Sequence, residues 1–351
     1  MRNALAYALW LLVLVVPTEI YLRVTGVGAT PRLRVHENGR ITVPVEGSEV
    51  VHRAEGYASF RYNEQGWRGR PLASDDRSIR IAVLGDSYAE AMQVPDGESF
   101  SDRLEEALTR DGAPVRVLNF GVSGDTLASE VVRYRDVVRR WRPDIVLVAS
   151  SDDDLIDMVK STRAPYGWDG RDVLVDTKIL EWVNAATAGR FRAREALRNR
   201  LRSYAVLQRA LQLWQATEAR WAPTGAPAGT YGATAAAEAL FGDVLRRLAA
   251  DVSADGGRLA LVQIPKGFAV RDGLTHLVGP FERAAGVADV PFVSAMASLQ
   301  KAHAGRRFTH SGQPGRPGGH LTSAGQAAVA AALTAAFTTG PFREMLEGRR
   351  R

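Results

Sequence analysis

Ile79-Arg-Ile-Ala-Val-Leu-Gly-Asp-Ser87 is the stretch that decides how this chain folds. Residues 79–84 form a short apolar run that is typical of a buried strand, and Gly85 permits a tight turn directly after it. A serine at this point lies at the carboxyl end of the strand, where open α/β sheets bind their ligands. Serine needs a neighbouring base and oxyanion donors to act as a nucleophile, and the backbone N–H of Ser87 can supply one donor. The stretch therefore predicts an α/β fold with Ser87 as a candidate nucleophile.

Strands and helices alternate on the C-terminal side of this stretch. The further predicted strands are residues 115–118, 144–149, 258–264 and 290–293, and the predicted helices are residues 99–108, 126–141, 234–251 and 323–337. Thr234 and Ser323 are the expected N-caps of the last two helices. Alternation of this kind predicts a parallel sheet covered on both faces, which is a three-layer α/β/α sandwich.

Length and composition narrow the classes of protein that this chain can belong to. A chain of 351 residues suits about two domains of roughly 150 residues, or one large α/β domain with insertions. The formal net charge of +6 suits an anionic surface or polymer, and it equally fits an arginine-rich composition without a partner. Because cysteine is absent, disulfides, cysteine nucleophiles and thiolate metal sites are excluded. The sequence has no phosphate-binding glycine loop and no nucleic-acid-binding motif, so we expect neither a cofactor nor a nucleic-acid partner.

The N-terminus carries an apolar segment. Residues 4–16 are uncharged, and counting through Leu22 gives the length of about 20 residues that a membrane-spanning helix needs, with Glu19 near one end. We expect an uncleaved membrane anchor over residues 1–24, with a cleaved signal peptide or a buried helix as the alternatives. Arg2 on the short N-terminal side predicts that this end lies in the cytoplasm and the rest outside, in the periplasm or at the cell surface.

The alternation of strands and helices is interrupted between about residues 160 and 230, which we interpret as a helical insertion. Residues 179–221 have apolar side chains at helical spacing, and their opposite face is rich in arginine. That face is either a solvated surface or part of a lid that attracts an anionic polymer or lipid headgroups. The predicted divisions are a membrane anchor (1–24), an irregular, strand-rich lead-in (25–78), an α/β domain containing the insertion (79–340) and a basic tail (341–351).

Several sequence blocks resemble the SGNH/GDSL hydrolase family, and more narrowly its bacterial members with a single N-terminal membrane helix. The blocks are Leu84-Gly-Asp-Ser-Tyr88 with residues 94–100, Asn119-Phe-Gly-Val-Ser-Gly-Asp-Thr126, residues 143–157, and Gly319-His-Leu-Thr-Ser-Ala-Gly325. Residues 62–69 are also similar to a segment that such members carry before the first strand. The blocks cover about residues 60–335 in the expected order, so together they are fairly specific.

This resemblance implies a site of known chemistry. Ser87 would be the nucleophile and His320 the base that takes its proton. The backbone N–H groups of Ser87 and Gly124 would hold the oxyanion. The resemblance implies no cofactor and no metal.

Two positions depart from the family pattern. The family usually has an asparagine in the third block as a further oxyanion donor, where this chain has Asp153, and an ionised carboxylate accepts hydrogen bonds and repels an oxyanion. The acid that orients the histidine normally lies two or three residues before it, where this chain has Gly318 and Pro317. A Ser-His dyad, a backbone carbonyl or a distant carboxylate could take its place. Asp154 is one candidate for that carboxylate, and Asp86 is a possible accessory residue.

These observations leave three functions open. The first is an extracytoplasmic serine esterase or O-acyl (acetyl) transferase acting on an acyl ester, for which O-acetyl groups of cell-surface polysaccharide are a substrate by family analogy. The second is a catalytically degenerate SGNH-like domain that binds a glycan or protein partner. The third is a peripheral basic protein that acts through its arginine-rich helix. A metal-binding loop at residues 152–154 is disfavoured because consecutive carboxylates do not easily face one ion.

Overall fold

The computed structural model describes residues 2–25, 33–37, 41–52, 55–110, 114–155, 167–168, 174–175, 235–303, 309 and 319–350, together with a few positions between 193 and 210. Most of the predicted insertion, the expected cap Thr234 and the loop positions Pro317 and Gly318 lie outside the described residues.

The described strands and helices follow the predicted order. The strands are β1 (Leu33–Val35), β2 (Thr42–Pro44), β3 (Glu49–His52), β4 (Ala58–Arg61), β5 (Ile79–Gly85), β6 (Val115–Asn119), β7 (Ile145–Ser151), β8 (Gly167–Trp168), β9 (Leu174–Val175), β10 (Arg258–Ile264) and β11 (Phe292–Ser294). The helices are α1 (Arg2–Thr25), α2 (Ser87–Glu90), α3 (Phe100–Arg110), α4 (Leu127–Arg133), α5 (Ala235–Ala254), α6 (Gly267–Arg271), α7 (Gly279–Ala288), α8 (Met296–His303), α9 (Ser323–Thr338) and α10 (Arg343–Arg350).

The central sheet has five strands in the order β11-β10-β7-β5-β6, and all of its neighbouring pairs are parallel. The chain passes from β5 to β6 on one side, and β7, β10 and β11 then follow on the other side. The direction of strand addition therefore reverses between β5 and β7. Open α/β sheets form their ligand crevice at such a switch point, outside the carboxyl ends of the strands. Ser87 comes directly after β5 and lies at this edge.

Helices cover both faces of the sheet. Because side chains alternate along a strand, Ile81 and Val83 of β5 face one core, which contains side chains from α3, α8 and α9. Ala82 and Leu84 face a second core, which contains side chains from α4, α5 and α7. The described residues therefore form the predicted α/β fold, with a parallel sheet between two helical layers.

Three local predictions need correction. The helix predicted over residues 126–141 is α-helical only to Arg133 and continues as a π-turn (Tyr134–Val138) and a 3-10 turn (Arg139–Trp141). The last long helix is capped by Thr322 and not by Ser323, because the Thr322 side chain accepts from the backbone N–H of Gly325. The basic tail contains helix α10, and the buried side chains of Phe342, Met345 and Leu346 join the core beside α9.

The lead-in is tied to the α/β domain by a buried arginine. It forms two antiparallel hairpins, β1-β2 and β3-β4, and Arg68 then pairs with Asn119 at the end of β6. The Arg68 guanidinium is 1% exposed and donates to the carbonyls of Glu90, Ala91, Val94 and Pro95. These bonds hold residues 90–95, which follow the candidate nucleophile, against the lead-in.

Helix α1 carries a row of apolar side chains that contact little else among the described residues. The exposed side chains are Trp10, Leu12, Val13, Leu14, Val16, Ile20, Tyr21 and Val24. At its C-terminal end, Glu19 accepts from the backbone N–H groups of Arg202 and Ser203. Within the part of the chain that the structure describes, no helix combines the length and the apolar character needed to cross a membrane, so the predicted spanning anchor is not confirmed.

Candidate active site

Ser87 lies at the junction of β5 and the short helix α2. Gly85 has a φ of +154°, and a Cβ there would come within 2.6 Å of the Ala149 carbonyl oxygen of β7, so only glycine fits between the two strands. Asp86 accepts the backbone N–H of Tyr88 at 2.8 Å and thereby caps α2. This turn leaves Ser87 as the first residue of α2, and its side chain is partly exposed at the edge of the sheet.

The structure brings His320 to Ser87, as the sequence predicted. The two residues are 233 positions apart in the chain, and Nε2 of His320 lies 2.7 Å from Oγ of Ser87. His320 lies two residues before Thr322, the cap of α9, and its ring packs against the Tyr88 ring with centroids 5.0 Å apart. The candidate nucleophile and the candidate base are therefore within the hydrogen-bond reach that proton transfer requires.

The carboxylate that faces His320 is Glu55, from the loop between β3 and β4. Its Oε2 lies 2.7 Å from Nδ1 of His320 and also accepts the backbone N–H of His320 at 3.0 Å. Burial works to raise the pKa of Glu55, but the hydrogen bond and charge of His320 outweigh it and leave that pKa below its ordinary value. Of the alternatives left open by the sequence, the structure thus has a distant carboxylate at this position. Asp154 is not that carboxylate, because its side chain binds Ser151.

A buried glutamate fixes the loop that contains Gly124. Glu90 is 1% exposed, and its carboxylate accepts the backbone N–H of Ser123 at 2.7 Å, the Ser123 hydroxyl and the Tyr62 hydroxyl. The same loop is bound to β5 through the N–H of Val122 and the carbonyl of Gly85, 3.0 Å apart. Gly124 is exposed with a φ of +85°. The loop is therefore held beside the nucleophile turn, and oxyanion binding by the Gly124 N–H stays a prediction.

The three aspartates of the third block have different partners. Asp152 accepts from Gln263 at 2.7 Å and from the backbone N–H of Lys266 at 2.9 Å. Asp153 forms an ion pair with the Lys266 ammonium. Asp154 accepts the backbone N–H of Ser151 at 2.9 Å. Because the carboxylates are directed to separate groups, they do not form the metal-binding loop that the sequence left as an alternative.

Two of the carboxyl groups at this edge are costly to ionise. Burial raises the pKa of Asp86 to about 6, although the N–H of Tyr88 and the positive charges of His320 and Lys266 oppose the effect. Burial likewise raises the pKa of Asp152 to about 6 against the hydrogen bonds from Lys266 and Gln263. Asp86 contacts the hydroxyl of Ser151 at 3.3 Å, so it links β5 to β7 and does not touch the reacting atoms of Ser87.

Sequence reasoning missed Glu55, Glu90 and Lys266. Glu55 lies in a stretch without periodic pattern, so no local signal indicates its partner. Glu90 lies just after the Leu84–Tyr88 block, and its position three residues after Ser87 on a helix was the available signal. Lys266 follows the strand β10 and Pro265, where a parallel sheet places polar groups at its ligand-binding edge. That position was a signal that could have been used.

Comparisons with known proteins give short or distant similarities. No family model matches the chain. An arylesterase of Vibrio mimicus is 34% identical over 76 residues, which are 22% of this chain and 38% of the arylesterase. The chain thus matches well under half the length of that relative.

Solved structures resemble the chain at low sequence identity. TesA is 14% identical with a TM-score of 0.41, over 73% of this chain and 97% of its own. The acetyl xylan esterase AlAXEase is 13% identical with a TM-score of 0.42, over 74% and 99%. A lipolytic protein of the G-D-S-L family from Desulfitobacterium hafniense is 9% identical with a TM-score of 0.41, over 73% and 98%. Similarity at this level assigns no function.

Proposed function

We propose that this chain is a serine ester hydrolase of the SGNH type, with Ser87 as nucleophile, His320 as base and Glu55 as the acid that orients the base. The observation that carries the proposal is the continuous hydrogen-bonded chain Ser87–His320–Glu55, in which each side-chain link is 2.7 Å long. A serine, an imidazole and a carboxylate in this order form the arrangement that activates serine on several unrelated folds. The short similarity to an arylesterase is consistent with the same chemistry.

The geometry supports a two-step acyl transfer. Glu55 accepts a hydrogen bond from the Nδ1–H of His320, which holds the tautomer whose Nε2 is free to take the proton of Ser87 as its Oγ attacks the acyl carbonyl. The imidazolium then returns that proton to the departing alkoxide. A water molecule, or a hydroxyl of an acceptor, then attacks the acyl carbonyl while His320 takes its proton. The bond between the acyl carbon and Ser87 Oγ breaks, and His320 returns the proton to Oγ. The backbone N–H groups of Ser87 and Gly124 are the proposed oxyanion donors.

Glu55 also bears on the alternative that this domain is catalytically degenerate. That alternative depended on the lack of an orienting acid next to His320 in the sequence. A carboxylate whose side chain is 5% exposed and which contacts both Nδ1 and the backbone N–H of His320 fills that role. The arrangement at His320 therefore favours a catalytic domain over a degenerate binding domain.

Labelling with a fluorophosphonate probe tests the proposed activity. The full-length wild type should label and should hydrolyse p-nitrophenyl acetate, whereas Ser87→Ala should do neither. Ser253→Ala is a matched control, because Ser253 is exposed on α5 away from the site. A folded wild type that neither labels nor turns over the ester would refute the activity and favour a binding domain.

We also propose a location and a substrate class. The chain would be attached to a membrane through α1, with the site outside the cytoplasm, and would hydrolyse or transfer O-acyl groups of cell-surface polysaccharide. The support is the uncharged run 4–16 preceded by Arg2, the exposed apolar side chains of α1 and the sequence resemblance.

The location can be tested directly because the native chain lacks cysteine. A single cysteine at Ser253→Cys should react with a membrane-impermeant maleimide in intact cells, and alkaline carbonate should leave the chain in the membrane. Release by high salt alone would instead indicate peripheral attachment through positive charge. Release of acetate from O-acetylated polysaccharide, lost in Ser87→Ala, would support the substrate class.

A further inference from the structure

The edge of the sheet at which Ser87 lies is crowded with carboxylates. Asp86 precedes Ser87, Glu55 faces His320, and residues 152–154 follow the adjacent strand β7. Attack on an acyl carbonyl moves an electron pair onto the carbonyl oxygen and creates a further negative charge there. Such an oxyanion needs positive charge or hydrogen-bond donors that are already in place. Ionised carboxylates near Ser87 would repel this oxyanion, so the backbone donors would have to offset that repulsion.

Lys266 is an ammonium group at this same edge. It follows β10, which pairs with β7 so that Ile264 lies opposite Ser151. Its backbone N–H is held by Asp152 at 2.9 Å. Asp152 is in turn held by Gln263 at 2.7 Å, and Gln263 accepts from the Ser294 hydroxyl at 2.7 Å. This buried series of hydrogen bonds fixes the backbone from which the Lys266 side chain extends.

Asp153 fixes the other end of that side chain. Its carboxylate pairs with the Lys266 ammonium, and both side chains are partly exposed, at 29% and 22%. The ammonium is thus directed toward the loop after β7 and remains accessible to a ligand. Its charge also acts on Asp86, the residue before Ser87, where it opposes the effect of burial on the carboxyl group. Lys266 therefore lies at the same edge of the sheet as Ser87, with its ammonium held beside the loop that follows β7.

We propose that the Lys266 ammonium, positioned by Asp153, stabilises the oxyanion formed during attack by Ser87; this inference rests on the proposed ester hydrolase function. In the attack the Ser87 Oγ bonds to the carbonyl carbon, the π electron pair moves to the carbonyl oxygen, and the Oγ proton passes to His320. Lys266 contributes charge and a hydrogen bond and keeps its protons. When the intermediate collapses, the electron pair returns and the leaving alkoxide takes its proton from His320. Asp153, a carboxylate that cannot donate to an oxyanion, thus acts through the cation it holds.

The test compares Lys266→Met with Lys301→Met, which removes an exposed lysine on α8. The substrate is p-nitrophenyl acetate, which is uncharged, so that attraction of an anionic substrate does not contribute. Lys266→Met should lower kcat by about 10²- to 10³-fold, the effect of losing one oxyanion donor, with KM within about twofold. Lys301→Met should match the wild type.

Two further variants separate the proposed role from a structural one. Lys266→Arg keeps the charge and should retain activity within about tenfold of the wild type. A merely structural role instead predicts that kcat falls in Lys266→Met only as far as the melting temperature falls with it. Adding Asp153→Asn to Lys266→Met removes the unpaired carboxylate and supplies an amide donor, so it should recover at least about tenfold in kcat. Circular dichroism and thermal melts monitor folding, and if Lys266→Met does not fold, the Lys266→Arg and Asp153→Asn variants provide the kinetic comparison.

The outcomes are distinguishable from failure of the proposed function. If the wild type turns over the ester in a Ser87-dependent manner and Lys266→Met does so equally well, the role of Lys266 is overturned and the hydrolase stands. A raised KM with unchanged kcat overturns it as well, because it indicates substrate anchoring. A wild type without Ser87-dependent labelling or turnover overturns both proposals.

Discussion

Replacing Glu55 by glutamine tests the least expected part of the site. In the proposed mechanism, the Glu55 carboxylate stabilises the imidazolium that His320 becomes when it takes the Ser87 proton. With the two charge centres about 4 Å apart and an effective dielectric constant of about 20, this interaction amounts to about 4 kcal/mol. Since 1.36 kcal/mol corresponds to a tenfold change in rate, Glu55→Gln should lower kcat by about 10³-fold. Loss of the equivalent acid in a serine protease triad has an effect of about 10⁴.

The assay is steady-state hydrolysis of p-nitrophenyl acetate, with kcat and KM measured separately. KM should change little, because Glu55 touches His320 and not the substrate. Glu64→Gln is the matched control, since Glu64 is an exposed glutamate of the same lead-in, and it should retain wild-type activity. Glu55→Asp keeps the charge and should restore part of kcat. A folded Glu55→Gln enzyme with kcat within about threefold of the wild type would refute the role assigned to Glu55.

Further predictions concern stability. Because burial raises the pKa of Asp86 to about 6, the folded state binds a proton more tightly than the unfolded state. Ionisation of Asp86 therefore destabilises the fold progressively as the pH rises from the unfolded pKa of about 4 to the folded pKa of about 6, and its effect is complete above that pH. Asp86→Asn should therefore stabilise the protein by up to about 3 kcal/mol at pH 8 and by nothing at pH 4 in urea unfolding; equal effects at both pH values would contradict this. Arg68→Met leaves three buried carbonyls and one partly buried carbonyl without their donor and should cost about 3–5 kcal/mol in the same assay, with Arg68→Lys recovering part; a neutral result would show that water replaces the guanidinium. Gly121→Ala places a methyl group 2.6 Å from the backbone nitrogen of Glu90 and should lower both the melting temperature and kcat. Gly286→Ala is the matched control, because a Cβ at that position would lie in open space; it should stabilise α7 by about 0.5–1 kcal/mol.

Much of the fold was predictable because the strands of the central sheet are buried and apolar. The predicted strand 258–264 has the same bounds as β10, since an apolar run between a glycine turn and a proline leaves little freedom. The helix after β6 was less predictable. Its apolar spacing continues through Trp141, but the π-turn at Tyr134–Val138 depends on side chains that bind α5, such as Arg135 with Asp251. Such tertiary contacts leave no periodic signal in a single sequence.

The residues of the candidate site also fall into a group that the sequence predicted and a group that it did not. Ser87 and His320 lie in local motifs that combine turn geometry with reactive side chains, so both were candidates from the sequence. Glu55 and Lys266 reach the site through the tertiary fold, and their neighbours become known only when the order of the strands and the path of the lead-in are known. The sequence showed that Asp153 replaces the usual asparagine of the family. The role proposed for Asp153 depends on Lys266, which the pairing of β7 with β10 brings next to it.

The position of Glu55 has a consequence for the time at which the proposed active site forms. Glu55 and His320 are 265 residues apart in the chain, and the serine between them is synthesised long before the histidine. Contacts of such long range form late, because the loop between them must first be closed. The nucleophile is therefore expected to stay unactivated throughout synthesis and any translocation, and to gain its reactivity only when the segment before α9 docks onto the lead-in. A chain that ends before His320 would carry the candidate nucleophile without its proposed base, and should therefore not hydrolyse esters in the compartment where it is made.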